Sequence, residues 1–149
     1  MNLLREIRSS DIFPETSPLT EVFSWTRESV RIIIFDKTKQ IAILHSKKYD
    51  YCALPGGGIE EGEMLFDAAI REAKEETGCV VDNLSEIGYV MIYNWKPDRA
   101  DKQFCCSAYV QGEKGLPKFM PDELEKEYEI LWLPLQKAIE KFENQRPGF

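Results

Sequence analysis

Apolar and polar positions along the chain follow two periods, and where the period changes the chain divides into strands and helices. Residues 30–35 and 40–45 are β-branched runs separated by the polar stretch 36–39, which predicts a hairpin of central strands. Residues 86–93 and 103–110 predict a second hairpin, joined through the charged loop 94–101, and residues 128–133 predict a short last strand. The period lengthens to 3.6 at Leu65, Phe66, Ala69, Ile70 and Ala73, so a helix is expected from about Glu63 to Thr77 with this stripe buried. Gly78 follows it as the residue suited to a left-handed turn after the last helical residue. A second helix opens at Pro134, with Leu135, Ala138, Ile139 and Phe142 expected toward the core. Residues 1–29 carry two prolines and one alternating run at 21–26, expected as an irregular lead-in with an edge strand. Hairpins interrupted by two helices favour a mixed sheet with helices packed on it, an α/β arrangement.

Length and charge narrow the picture. The 149 residues suit one compact core, so a single domain over 1–149 is expected. No apolar run approaches the roughly 18 residues of a membrane helix, and the N-terminus mixes charges into its apolar residues where a signal peptide would not. A cytoplasmic protein without a membrane partner is the expectation. The net charge of −7 opposes nucleic-acid binding, which relies on Lys and Arg to neutralise many phosphates. A small phosphorylated ligand remains compatible, because bound cations can supply positive charge. Four cysteines without Cys-x-x-Cys spacing and the single His45 do not make a zinc site, and reduced, mostly buried thiols are expected. Lys47 and Lys48 are read as solubilising the loop ahead of contacting phosphates, Tyr93 and Trp95 as packing ahead of stacking on a base, and His45 as structural.

The chemistry concentrates between residues 57 and 79. On a helix, Glu72, Glu75 and Glu76 fall within roughly 100° of each other beside the apolar stripe and can converge on one point. A solvated helix face with the Arg71–Glu75 ion pair accounts for part of this. Glu75 and Glu76 nevertheless lie in the last turn, where the helix dipole disfavours each by about 0.3 to 1 kcal/mol, and a bound cation would remove that conflict. Hard divalent cations take oxygen ligands and bridge to substrate phosphates, so the cluster suits magnesium or manganese. The preceding Gly56, Gly57 and Gly58 permit close backbone approach to such a ligand.

Gly57, Glu63, Arg71, Glu72, Glu75, Glu76 and Gly78 fill every fixed glycine and polar position of the Nudix box, and the stretch resembles that motif; Cys79 stands where an aliphatic residue is usual. The resemblance implies a three-layer α/β/α sandwich with a mixed β-sheet and a loop-helix-loop catalytic motif. It also implies an Mg²⁺-dependent (or Mn²⁺-dependent) pyrophosphohydrolase that splits a diphosphate linkage in a nucleoside diphosphate derivative, such as a nucleoside triphosphate or nucleotide sugar. Carried over by position, Glu72 and Glu76 are the main metal ligands, Glu75 an additional metal or water ligand, and the Gly57 carbonyl a further one. Arg71 orients the glutamates and Glu63 helps to fix loop and helix. Glu72 is the first choice for general base, with Glu123, Glu125 and Glu127 as distal alternatives.

Outside the box the resemblance covers the approach from Leu54 to Gly57 and the strand ending at 131–134, and leaves residues 1–29 unmatched. Cys52 stands where many relatives have Trp. An isoprenoid diphosphate isomerase needs more metal-binding histidines than His45 alone. The alternative from another class is a catalytically idle Nudix-like module that binds a nucleotide as a sensor. Residues 1–29 leave room for a homodimer with an exchanged strand.

Overall fold

A computed structural model describes residues 1–8, 11, 25–93 and 99–145 of the chain. Strands β1 (Leu3–Arg8), β2 (Trp25–Phe35), β3 (Gln40–Ser46), β4 (Tyr51–Ala53), β5 (Gly56–Gly58), β6 (Val80–Tyr93), β7 (Arg99–Gln111) and β8 (Tyr128–Pro134) join in one mixed sheet. Helix α1 (Leu65–Thr77) follows β5, the short α2 (Pro121–Glu125) precedes β8, and α3 (Leu135–Asn144) follows it. None of the described helices is long and apolar enough to cross a membrane.

The alternation along β2 decides which helix covers which face. Val30, Ile32 and Ile34 point to one side, where they bury with Ala68, Ala69 and Ala73 of α1. Ile33 and Phe35 point to the other and pack with Ile41, Ile43, Ala138 and Phe142, which seats α3 on the opposite face. The result is the α/β/α layering and mixed sheet expected above. Small alanines on α1 let the helix lie close to the sheet, bringing its polar side chains near the strands.

The sheet parts beside its centre. β2 runs parallel to β7, and meets β3 at Phe35 and Ile41. Further along, β2 pairs with β5 across Ser29–Gly58, Val30–Gly57 and Arg31–Gly56, while β3 pairs with β4 and β8. This divergence leaves a cleft between the two groups of strands, at the foot of α1.

Several elements depart from the sequence reading. Residues 56–58 form strand β5 where a loop was expected, because backbone without Cβ atoms can lie against β2. The edge is formed by β1, parallel to β6, and not by residues 21–26: Trp25 and Thr26 open the central strand β2, and 21–24 fall outside the described residues. Residues 94–98 of the expected charged loop, with Trp95, also fall outside them, and 99–101 belong to β7. On α1, Ile70 is exposed and Ala68 buried, so the inner face is rotated toward Glu72 and Glu76. On α3, Ala138 is buried and Phe142 packs inward, but Leu135 and Ile139 face outward. All four cysteines are free thiols.

The 36–39 turn is held by one side chain. Asp36 Oδ1 accepts from the Thr38 N–H at 2.9 Å, the Thr38 hydroxyl at 2.8 Å and the Gln40 N–H at 2.9 Å. Its Oδ2 accepts from Lys114 Nζ at 2.8 Å, and that ammonium lies 3.7 Å from the centre of the Trp132 ring. Burial pushes the Asp36 carboxyl up, but Lys114 and the turn donors outweigh burial and hold it at about 2. A folded pKa below the unfolded one contributes stability above the unfolded value of 3.8 and loses it as pH falls through about 2. Asp36→Asn keeps an acceptor for the turn but loses the charged bond, and is expected to cost about 1 kcal/mol at pH 7. Urea unfolding of both proteins should show that difference shrinking between pH 4 and pH 2; a pH-independent difference would contradict this account.

Candidate active site

Helix α1 carries its carboxylates on two different sides. Glu72 and Glu76, one turn apart, lie on the inner face and are 7% and 5% exposed, whereas Glu75 is more open. Gly78, at φ 72°, ends the helix by donating its N–H to the Lys74 carbonyl, and Thr77 Oγ1 bonds back to the Ala73 carbonyl at 2.6 Å.

Arg71 is the hub. Its Nε and Nη2 donate to the two Glu63 oxygens at 2.8 and 3.0 Å, its Nη1 to Glu72 Oε1 at 2.7 Å and to Glu75 Oε2 at 3.4 Å, and its Nη2 also to the Gly58 carbonyl at 3.0 Å. A planar fork of this kind fixes several acceptors at once, which a lysine would not. Glu63 also accepts from the Glu60 N–H at 2.9 Å, so the 58–63 connection is tied to the helix. The Arg71 bond first, then the Glu60 N–H, holds the Glu63 carboxyl down at about 2.

Glu72 and Glu76 both shift the other way. Burial pushes the Glu72 carboxyl upward, with Arg71 opposing, and Glu75 and Glu123 add repulsion. Glu76 accepts from the Gly56 N–H at 2.7 Å, yet burial, followed by the charges of Glu72 and Glu123, raises it well above the usual carboxylate range. A Cβ placed on Gly57 would run into the Glu72 carboxylate, so the glycine gives that side chain its place.

These residues line a cleft of about 380 Å³ with Arg27 and Arg31 of β2, Gly56–Gly58 and the segment from Met120 to Tyr128. Of the three distal glutamates, Glu123 borders it, its Oε2 accepting from the Met120 N–H at 2.7 Å and its carboxylate lying beside Glu76. Glu125 instead pairs with Lys48 at 3.2 Å on the surface, and Glu127 is a turn residue at φ 52° whose carbonyl accepts from the Lys47 N–H. Glu75 is not part of the lining, and among the described residues no three Cys, His, Asp or Glu side chains are drawn together as a ready cation cage. His45 lies away from this cleft, between Glu129 at 2.9 Å and Asp50 at 3.0 Å.

The sequence reading passed over Arg27, Arg31, Lys126 and Tyr128. A signal for the arginines was present, since both share the parity opposite to Val30 and Ile32 in a strand whose other face is apolar. Nothing local marked Lys126 or Tyr128, which reach the cleft through the pairing of β8 with β3.

Comparison with known proteins places this geometry. The chain is 28% identical over 116 residues to Nudix hydrolase 8 of Arabidopsis thaliana, covering 72% of this chain and 29% of that protein. It is 28% identical over 109 residues to an 8-oxo-(d)GTP phosphatase of Mycolicibacterium smegmatis, covering 71% of this chain and 30% of that one. It therefore spans under a third of the length of either relative. The MutT protein of Bacillus halodurans shares the fold at a TM-score of 0.61 and 24% identity, over 77% of this chain and 72% of that one. The model of the NUDIX domain matches residues 25–149, from the first residue of β2 through the carboxylate helix to the end of the sequence. The strand that pairs with the glycines, the Arg71 hub and the buried glutamates thus all fall within the matched region, and the chain belongs to the Nudix hydrolase family.

Proposed function

We propose that the protein hydrolyses a phosphoanhydride bond in a nucleoside diphosphate derivative with the aid of a divalent cation, Mg²⁺ or Mn²⁺. The observation that carries this reading is the pair of buried glutamates, Glu72 and Glu76, facing Glu123 across a cleft floored by glycines. Burial and the charge of Glu123 push both of these carboxyls up, so the pair suits a hard divalent cation, and the missing Cβ at Gly57 leaves the space. Glu72 and Glu76 would hold the cation, with the Gly57 carbonyl as a further ligand and Glu75 acting through water. When bound, such a cation neutralises phosphate charge and acidifies a water.

The remaining roles belong to the chain. Arg71 keeps Glu72 in place through the 2.7 Å bond and anchors the glycine strand through the Gly58 carbonyl. Glu123 serves better than Glu72 as general base, because Glu72 is occupied by Arg71 while Glu123 comes from a different element and faces the same space. A water oxygen forms the new bond to phosphorus, one of its protons passes to Glu123, and the bridging P–O bond breaks to release the second phosphorylated fragment. The relative named as an 8-oxo-(d)GTP phosphatase supports a nucleotide as substrate. A catalytically idle nucleotide sensor is the competing reading.

Phosphate release from a panel of nucleoside diphosphate derivatives, with and without Mg²⁺, separates the two. Metal-dependent turnover is expected on at least one member, with Glu76→Gln lowering kcat/KM by about 100-fold or more. Glu123→Gln is expected to lower kcat by about 100-fold or more while KM changes little. Nucleotide binding without turnover on any member would favour the sensor. Gly57→Ala probes the cradle, since its φ is not positive and the added methyl meets a side chain end, not backbone. It should fold with a near-native melting temperature and lose about 100-fold in kcat, because displacing Glu72 by about 1 Å is enough. Full activity in Gly57→Ala would remove Glu72 from the site.

A further inference from the structure

Strand β2 brings two cations to the cleft that the roles above leave unused. Arg27 and Arg31 lie four residues apart on the face opposite Val30 and Ile32, and both line the cleft beside the glycine strand. Arg31 sits across from Gly56, whose N–H holds Glu76. Arg27 Nη2 reaches within 3.5 Å of the Cβ position at Gly58, whose carbonyl is held by Arg71. The two guanidinium groups therefore flank the approach to the carboxylates.

Neither is satisfied by the protein. Among the described residues, Arg27 and Arg31 have no ion pair or side-chain hydrogen bond, although four carboxylates, Glu72, Glu76, Asp122 and Glu123, line the same cleft. Between them on the same face, Ser29 is 1% exposed and its hydroxyl has no partner. Ser29 does not line the cleft, but two unpaired guanidinium groups that do line it call for an acceptor-rich ligand there.

We propose that Arg27 and Arg31 form a clamp for a phosphoryl group beyond the scissile diphosphate, so that the enzyme selects nucleoside triphosphates over nucleotide sugars. This rests on the hydrolase reading of the site. Charge decides the preference. A diphosphate joining two neutral groups carries about two negative charges, which a divalent cation on Glu72 and Glu76 meets. A triphosphate carries about two more, and two guanidinium forks match them by charge-assisted, bidentate bonds. A neutral sugar offers the forks no anionic acceptor.

The test compares Arg27→Gln, Arg31→Gln and the double variant with wild type on a nucleoside triphosphate and on the matching nucleoside diphosphate sugar. The double variant should lose about 100-fold or more in kcat/KM on the triphosphate and less than about threefold on the sugar nucleotide. Each single variant should fall between these limits. Equal losses on both substrates would overturn the clamp, since the arginines would then hold the common diphosphate; so would unchanged triphosphate activity in the double variant. Calorimetric binding of a non-hydrolysable methylene-bridged triphosphate keeps the clamp testable if wild type turns over nothing. Loss of that binding in the double variant, with sugar-nucleotide binding unchanged, supports the clamp even where the hydrolase reading has failed, and equal loss of both overturns it.

Discussion

Two carboxylates one turn apart on the buried face of a helix are the constraint on which the rest of this structure depends. An ionised carboxylate withdrawn from water costs several kcal/mol unless paired, and Glu72 and Glu76 are both withdrawn. Arg71 answers for Glu72 and the Gly56 N–H for Glu76, and each of those donors needs further support. Arg71 is steadied by Glu63 and the Gly58 carbonyl, and Gly56 by the pairing of β5 with β2. The glycine strand, the 58–63 connection and the first part of β2 can thus be understood as what a helix with buried glutamates requires. That support is incomplete, because burial still pushes both carboxyls upward. The repulsion that remains is what the proposed divalent cation would offset.

A second set of contacts brings the far side of the cleft into place. The Gly115 N–H donates to the Gly78 carbonyl at 3.0 Å and the Lys118 N–H to the Glu75 carbonyl at 2.6 Å, so the segment after β7 satisfies acceptors at the end of α1. A side chain at Gly115 would collide with the Gly78 carbonyl, so the two backbones must meet directly. Lys114 ties the same segment to Asp36 and Trp132. The chain that leaves these anchors turns into α2 and presents Glu123 to Glu76. Packing at the end of one helix therefore sets the position of a carboxylate that comes from about fifty residues further along the sequence.

Much of this was legible before the structure. Period and β-branching placed both hairpins, the last strand and the two longer helices, and the spacing of Gly57, Arg71, Glu72 and Glu76 singled out residues that the fold brings to one cleft. Ile70 misled the assignment of the buried face, since an apolar residue can sit at a helix edge while short alanines and two glutamates take the interior. Residues 56–58 looked like a turn because glycine is the usual turn residue, and the close approach to β2 that makes them a strand is a tertiary fact. Choosing among Glu123, Glu125 and Glu127 likewise required the anchors at Gly78 and Glu75, which have no local signature. Arg27 was obscured by the reading of residues 1–29 as a lead-in, and Arg31 stood inside the predicted strand 30–35 without being singled out.

The central claim, that the buried glutamates are held apart from water for a divalent cation, is tested most directly by Mn²⁺ binding followed by electron paramagnetic resonance without substrate. The account predicts saturable Mn²⁺ binding to the wild-type protein, competed by Mg²⁺, and its loss in a folded Glu72→Gln, Glu76→Gln double variant. Binding of equal strength in that variant, or none in the wild type, would contradict it.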